Sequence, residues 1–238
     1  MTNIQLCPNF GRVLARNGWK RTLRPGLKDK KTVIFGASSG IGAAVARRFA
    51  ACGANVLIHF NSNRAGAETV AAEIQKAGGR ANVIGGDVSD GKIAARLVDE
   101  AAASLGGLDI VINNAGVGGR RSGIATEDRP GTRWQKMRGP NLDSTYFVSA
   151  YAMPLLVRTK GAIVNIASVL GFGVSKGTIA YATAKAGVIQ MTKALGLELA
   201  FKGVRVNAIA PGWFVTDINR EYLEGAGKAL TRDIPVGR

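Results

Sequence analysis

From Lys31 onward the hydrophobic pattern alternates between short, nearly continuous apolar runs and longer stretches with helical spacing. No other feature constrains the fold as strongly. Thr32–Phe35, Asn55–Phe60, Ala81–Gly85, Leu108–Asn113, Gly161–Ala167 and Val204–Ile209 read as strands. Their runs do not alternate with polar residues, as expected when both faces of a parallel sheet are covered. Between them, Ile41–Ala51, Arg64–Ala77, Gly91–Leu105, Asn141–Val157 and Ala180–Phe201 carry apolar residues at i, i+3, i+4 and have the length of crossover helices. Repeated strand–helix units with right-handed crossovers predict an α/β fold: a doubly wound, Rossmann-type parallel sheet in three αβα layers. No Ser/Pro-rich linker interrupts residues 30–238, which read as one domain, while residues 1–29 read as a flexible basic extension.

Composition excludes several alternatives. With 46% hydrophobic residues in 238, the chain is too apolar for intrinsic disorder. No uninterrupted run of 18 apolar residues marks a membrane span. The two cysteines, Cys7 and Cys52, form no CxxC pair, so a reducing compartment and a packing role for Cys52 are expected. One histidine and no cysteine cluster argue against a metal site.

The net charge of +16 is unevenly placed. Arg12, Arg16, Lys20, Arg21, Arg24, Lys28, Lys30 and Lys31 face only Asp29; Arg120, Arg121, Arg129, Arg133, Lys136 and Arg138 face Glu127 and Asp128. Such charge attracts polyanions, yet no aromatic-interleaved basic motif or nucleic-acid module accompanies it, so a solvated surface is the expectation rather than nucleic-acid binding. The first 29 residues lack a secretory apolar core. The cytoplasm is the expected compartment. A mitochondrial matrix location is the alternative if Phe10, Val13 and Leu14 form one face of a basic transit helix, which Gly11, Gly18 and Pro25 oppose. A disordered extension or an upstream start fits the same residues.

The first strand runs into Gly36-Ala37-Ser38-Ser39-Gly40-Ile41-Gly42 at the start of the first helix. Glycines there allow a sharp turn and close approach to a pyrophosphate, and a helix N-terminus offers unpaired N–H groups. The second strand ends in His59-Phe60-Asn61-Ser62-Asn63-Arg64, with no acid before Glu68. A carboxylate would accept from a ribose hydroxyl and repel a 2′-phosphate; Asn61, Ser62 and Arg64 suit the phosphate, which favours NADP(H) over NAD(H). His59 reads as packing. The third strand ends in Gly86-Asp87-Val88, where Asp87 accepts from an adenine amino group or, equally on spacing, Asp87 or Ser89 caps a helix. Asn114, Ala115 and Gly116 end the fourth strand, beside the expected crevice. Ser168 ends the fifth strand, and Tyr181 with Lys185 at i+4 shares one face of the next helix. A nearby ammonium is expected to lower a phenol pKa and make it a proton shuttle, with Ser168 binding a developing oxyanion.

Together these residues, with Asp87, Asn113–Gly116, Trp134 followed by Asn141, and Pro211-Gly212, resemble the short-chain dehydrogenase/reductase family from about Lys31 to Arg238. The run through 180–210 looks most like the 3-oxoacyl-carrier-protein reductase branch. The resemblance implies hydride transfer between nicotinamide and a ketone or secondary alcohol. Tyr181 would be the acid in reduction and the base in oxidation, Lys185 would bind the nicotinamide ribose, and Ser168 would orient substrate. Asn141 would hold a water, Pro211, Gly212 and Thr216 would meet the nicotinamide end, and residues 213–230 would form a substrate lid.

Two departures from that pattern carry expectations. Phe35 stands where the family usually has Thr, so the glycine turn is expected to be looser. The family continues past Ile234-Pro235-Val236-Gly237-Arg238 through a helix and a further strand; their loss would leave the sixth strand as an edge and favour a homodimer over a tetramer. A second reading follows, a weakly active relative that acts by protein or polyanion association. The substrate stays open: apolar lid residues Trp213, Phe214, Val215 and Ile218 suit an apolar or acyl group, or simply pack, and the Arg120–Arg138 region suits an acidic one or is a solvated loop.

Overall fold

The computed structural model describes residues 26–118, 130–216, 220 and 223–225. The segment before residue 26 with Cys7, the stretch holding Arg120, Arg121, Glu127, Asp128 and Arg129, and the lid and C-terminal positions Ile218 and 226–238 lie outside the described residues.

In chain order the elements are β1 (Lys31–Phe35), α1 (Gly40–Ala51), β2 (Asn55–Phe60), α2 (Arg64–Lys76), β3 (Arg80–Gly85), α3 (Gly91–Leu105) and β4 (Ile110–Asn113). Then follow α4 (Pro130–Arg138), a π-helical turn (Gly139–Asp143), α5 (Ser144–Thr159), β5 (Ala162–Ile166), a 3₁₀ turn (Val169–Gly171), α6 (Ile179–Ala200) and β6 (Arg205–Ile209). The strands form one parallel sheet in the order β3-β2-β1-β4-β5-β6. Val33 aligns with Leu57 on one side and Val111 on the other. The chain winds outward from β1 to β3, then returns to place β4 against β1. That reversal is the switch point where open sheets bind ligands.

Successive strand residues point to opposite faces, and both faces are covered, which explains the continuous apolar runs. Val33, Phe35, Leu57, Val111 and Ile163 pack with Leu97, Val148, Leu156 and Leu199 of α3, α5 and α6. Ile34, Val56, Ile58 and Ile112 pack with Ala43, Ala46, Val70 and Ile74 of α1 and α2. Among the described residues β6 lies at the sheet edge, where Ile209 is 55% exposed.

The periodicity located the six strands and four of the helices closely, but it merged the π turn with α5 and missed α4. Apolar spacing placed a helix over Asn141–Val157; instead α4 comes first, and Asn141 sits in the π turn before α5. Pro140 supplies the reason. It has no N–H for the bond to residue 136, so the helix widens there rather than running through. The third crossover also differs: Asp90 caps α3, accepting from the Lys92 and Ile93 N–H groups at 2.8 and 3.1 Å, so neither Asp87 nor Ser89 is the cap.

Candidate active site

A cleft of about 780 Å³ opens at the carboxyl ends of the strands, across the β1/β4 boundary. Its nucleotide-facing side is built first from backbone. Gly36 takes φ +74°, and a Cβ there would stand 2.6 Å from the Ala115 Cα, so only glycine allows the two loops to meet. The Asn114 side chain donates to the Gly36 carbonyl at 2.6 Å, and its N–H donates to the Phe35 carbonyl at 3.1 Å. Gly42 lets α1 press onto this turn: a Cβ would lie 2.3 Å from the Gly36 oxygen. Ser39 begins α1, and no side chain caps its first turn, whose residues line the cleft. An open helix N-terminus facing a cleft suits a pyrophosphate. The expectation of a loosened turn after Phe35 is therefore corrected: Phe35 is buried, and the turn is tied by Asn114 and by the His59 ring.

The four catalytic candidates converge from three places: the end of β5, α6 and the π turn. Ser168 follows β5, and its Oγ accepts from the Leu170 N–H at 3.2 Å and pairs with the Tyr181 phenol. Gly171 lets that 3₁₀ turn rest on α6, since a Cβ would come within 2.9 Å of the Lys185 carbonyl. Tyr181 and Lys185 lie one turn apart on α6. The Lys185 Nζ donates to the Ile166 carbonyl at 2.9 Å and sits 5.8 Å from the centre of the Tyr181 ring. Asn141 is fully buried, accepting from the Val117 N–H at 3.2 Å and donating to the Met137 carbonyl at 3.0 Å. Gly116 brings Asn141 and Lys185 near each other: a Cβ there would meet the Asn141 oxygen at 2.6 Å and the Lys185 Nζ at 3.6 Å.

Burial raises the Tyr181 pKa above its usual 10.0, and the Ser168 hydrogen bond only partly offsets it. The ammonium expected to lower the phenol donates instead to the Ile166 carbonyl, and burial sets the direction of the Tyr181 shift. Burial also pushes Lys185 down to about 8.

Gly36, Ser38, Ser39, Gly40, Ile41, Asn61, Ser62, Asp87, Val88, Asn114, Ala115, Gly116, Pro211, Gly212 and Thr216 all line the cleft with Asn141, Ser168, Tyr181 and Lys185. Gly42 and Arg64 do not. Gly42 acts in packing, while Arg64 turns to Glu68 at 3.4 Å and stacks 5.4 Å over Phe60. Asp87 faces the cleft with one oxygen accepting from the Ser89 N–H and hydroxyl. Of the lid residues, Trp213 and Phe214 line it. Sequence reasoning missed Gly171 and the polar use of His59; the unexpected histidine beside the glycine turn was the available signal. In the second basic cluster, Arg133 is buried and Arg138 pairs with Asp143 at 2.9 Å. Among the described residues no group of three His, Cys, Asp or Glu could hold a metal, and no helix is long and apolar enough to cross a membrane.

The uncapped N-terminus of α1 lines one cleft with a half-buried phenol and a buried ammonium, the arrangement of a dinucleotide-dependent oxidoreductase. Residues 30–227 match the short chain dehydrogenase family. A 3β-hydroxysteroid dehydrogenase of Eggerthella lenta is 39% identical over 216 residues, spanning 89% of this chain and 81% of that protein. The meso-2,3-butanediol dehydrogenase of Serratia marcescens is 36% identical over 210 residues, 88% of this chain and 81% of its own. A 3-oxoacyl-(acyl-carrier-protein) reductase of Chlamydia muridarum is 35% identical over 213 residues, 89% and 85%. The solved short chain dehydrogenase of Burkholderia cenocepacia J2315, in complex with NADP, is 34% identical with a TM-score of 0.80, covering 87% of this chain and 82% of that one. The chain belongs to the short-chain dehydrogenase family, enzymes that move hydride between a nicotinamide dinucleotide and an alcohol or carbonyl carbon.

Proposed function

We propose that the chain is an NADP(H)-preferring carbonyl reductase or secondary-alcohol dehydrogenase in which Tyr181 is the proton donor and acceptor. The observation that carries this reading is the group of buried Ser168, half-buried Tyr181 and buried Lys185 at the end of β5, lining one cleft with the open N-terminus of α1. When bound, the nicotinamide supplies or takes up the hydride. Ser168 and Tyr181 would hold the substrate oxygen between two hydroxyls, and the phenol would pass its proton to that oxygen as negative charge develops. Lys185 would bind the ribose near the phenol and favour phenolate after the transfer. Asn141, locked in the π turn, would anchor a water beside Lys185.

Asn61 and Ser62 at the end of β2 support the 2′-phosphate preference, since no acid stands there to repel it. Arg64 is held only by an exposed i, i+4 pair, which is a weak restraint on turning toward that phosphate. The relatives are named for a hydroxysteroid, a butanediol and an oxoacyl carrier protein, and each name contains a secondary alcohol or ketone. Val169, Leu170, Trp213 and Phe214 line the cleft and favour an apolar group beside that oxygen. The cytoplasm suits the free Cys52 thiol. The groove lined by Leu142, Tyr146, Phe147 and Met191 of α5, α6 and the π turn favours a homodimer.

The test is NADPH and NADH oxidation against a panel of apolar ketones. Tyr181→Phe should lower kcat by roughly 10²- to 10⁴-fold, the range of positioned acid–base catalysis. A variant within a few-fold of wild type would overturn the assignment.

A further inference from the structure

His59 is the chain's sole histidine, and only 1% of it is exposed, at the end of β2. The Gly36 N–H donates to its Nδ1 at 3.2 Å, and its Nε2 lies 2.8 Å from the Gly86 carbonyl. An amide N–H only donates and a carbonyl only accepts, so these partners fix one neutral tautomer, protonated on Nε2. The backbone repeats the connection. The His59 carbonyl accepts from the Ala37 N–H at 2.8 Å, and the Phe60 carbonyl accepts from the Gly86 N–H at 3.0 Å. One ring therefore joins the ends of β1, β2 and β3, whose following loops carry Ser38–Ile41, Asn61–Ser62 and Asp87.

The join falls where the backbone has least freedom. Gly36 is left-handed and pressed against Ala115, and its carbonyl is held by Asn114. Its N–H points into the ring and not into the cleft, which leaves the succeeding N–H groups of α1 to face the ligand. The Phe35 side chain contributes no polar atom to the turn; its ring centre lies 5.0 Å from that of His59.

We infer that His59 is a positioning residue for the dinucleotide, setting the glycine turn and the Asp87 loop relative to each other before the cofactor arrives. The inference rests on the dinucleotide reading of the cleft. On that reading both loops would meet parts common to NADPH and NADH, so removing the ring should weaken both cofactors alike and leave the chemical step intact. A 2′-phosphate contact would weaken only NADPH.

The experiment compares wild type, His59→Phe and His59→Gln by cofactor dissociation constants and by kcat at saturating cofactor. His59→Phe keeps the volume and strands the two backbone groups. It should weaken NADPH and NADH each by on the order of tenfold, about 1.4 kcal/mol, with kcat within about twofold. His59→Gln, with one acceptor and one donor, should recover part of that loss. As a readout that needs no variant, nitrogen NMR of the single imidazole in the wild-type protein should show a bare Nδ1 and a protonated Nε2 at neutral pH. A folded His59→Phe with unchanged dissociation constants, a kcat loss without a binding loss, or the Nδ1–H tautomer would each overturn the inference. Wild-type protein that binds neither cofactor would overturn the dinucleotide reading and this inference together; wild-type binding with an indifferent His59→Phe would overturn this inference alone.

Discussion

The two halves of the cleft are built by different means. On the side of β1 to β3, position is set by backbone: left-handed Gly36, close-packed Gly42 and the ties to Asn114 and His59, over strands whose Val33, Ile34 and Phe35 are almost fully buried. On the side of β5 and β6, side chains on the long helix α6 do the work, and the neighbouring strand is largely open to solvent. Ile209 and Phe214 are more than half exposed. A site for a constant ligand is fixed by covalent geometry, where no substitution is tolerated. The reacting side keeps a few fixed groups, and its walls are free to vary with substrate.

Removing the ammonium breaks the reacting half most sharply. Lys185→Met should cost roughly 10²-fold or more in kcat, as expected for a group that supports acid–base catalysis. It should also change the pH dependence of stability. Lys185 titrates near 8 folded against 10.5 unfolded, so the unfolded chain holds the extra proton between those values and wild-type stability gains as pH rises through that window. Lys185→Met should lack that gain in thermal melts; an identical pH slope in both proteins would contradict it.

The nucleotide half should fail to a backbone change. Gly42→Ala would place its Cβ 2.3 Å from the Gly36 oxygen and 2.5 Å from the Asn114 amide. A loss of about 1–3 kcal/mol in denaturant unfolding is expected, with a further loss of affinity for both cofactors. Gly212→Ala is the contrast within the same cleft, because a Cβ there meets nothing within 4 Å. Its stability should change by no more than about 0.5 kcal/mol.

His59 makes the nucleotide half sensitive to acid. Burial lowers it to about 4, against the raising effects of the Gly86 bond and Asp87. Its contribution is present above the unfolded value of 6.5 and is lost as pH falls toward 4, on the order of 3 kcal/mol in all. His59→Gln should show a shallower fall in melting temperature over that window. The smallest effect is expected at Arg64. Arg64→Ala should weaken NADPH by less than about tenfold and leave NADH unchanged, since Asn61 and Ser62 remain in the cleft.

Much of this was legible in the chain because it is local. The apolar runs of Thr32–Phe35 and Asn55–Phe60, the glycines at 36, 40 and 42, and the i, i+4 pair Tyr181 and Lys185 each express one short-range rule. What escaped depends on juxtaposition. The His59 ring meets Gly36 across 23 residues and Gly86 across 27, and no periodicity encodes either contact. The π turn hinges on Pro140, and spacing alone absorbs its last three residues, Asn141 to Asp143, into the following helix. Position at the end of β2 suggests Arg64 for a phosphate, and its exposed pair with Glu68, one turn along α2, is a contact that position alone does not show. The direction of the Tyr181 shift follows its burial, which a sequence does not reveal.

The central claim is that cofactor binding and proton transfer reside in separable halves of one cleft. Thermal melts of wild type and Tyr181→Phe, each with millimolar NADPH and NADH, test it most directly. A ligand at one hundred times its dissociation constant stabilises the native state by about 2.7 kcal/mol. Equal upward shifts in both proteins, larger with NADPH than with NADH, alongside lost turnover in the variant, are the predicted result. A variant that loses the cofactor shift together with activity, or a wild type indifferent to both cofactors, would contradict it.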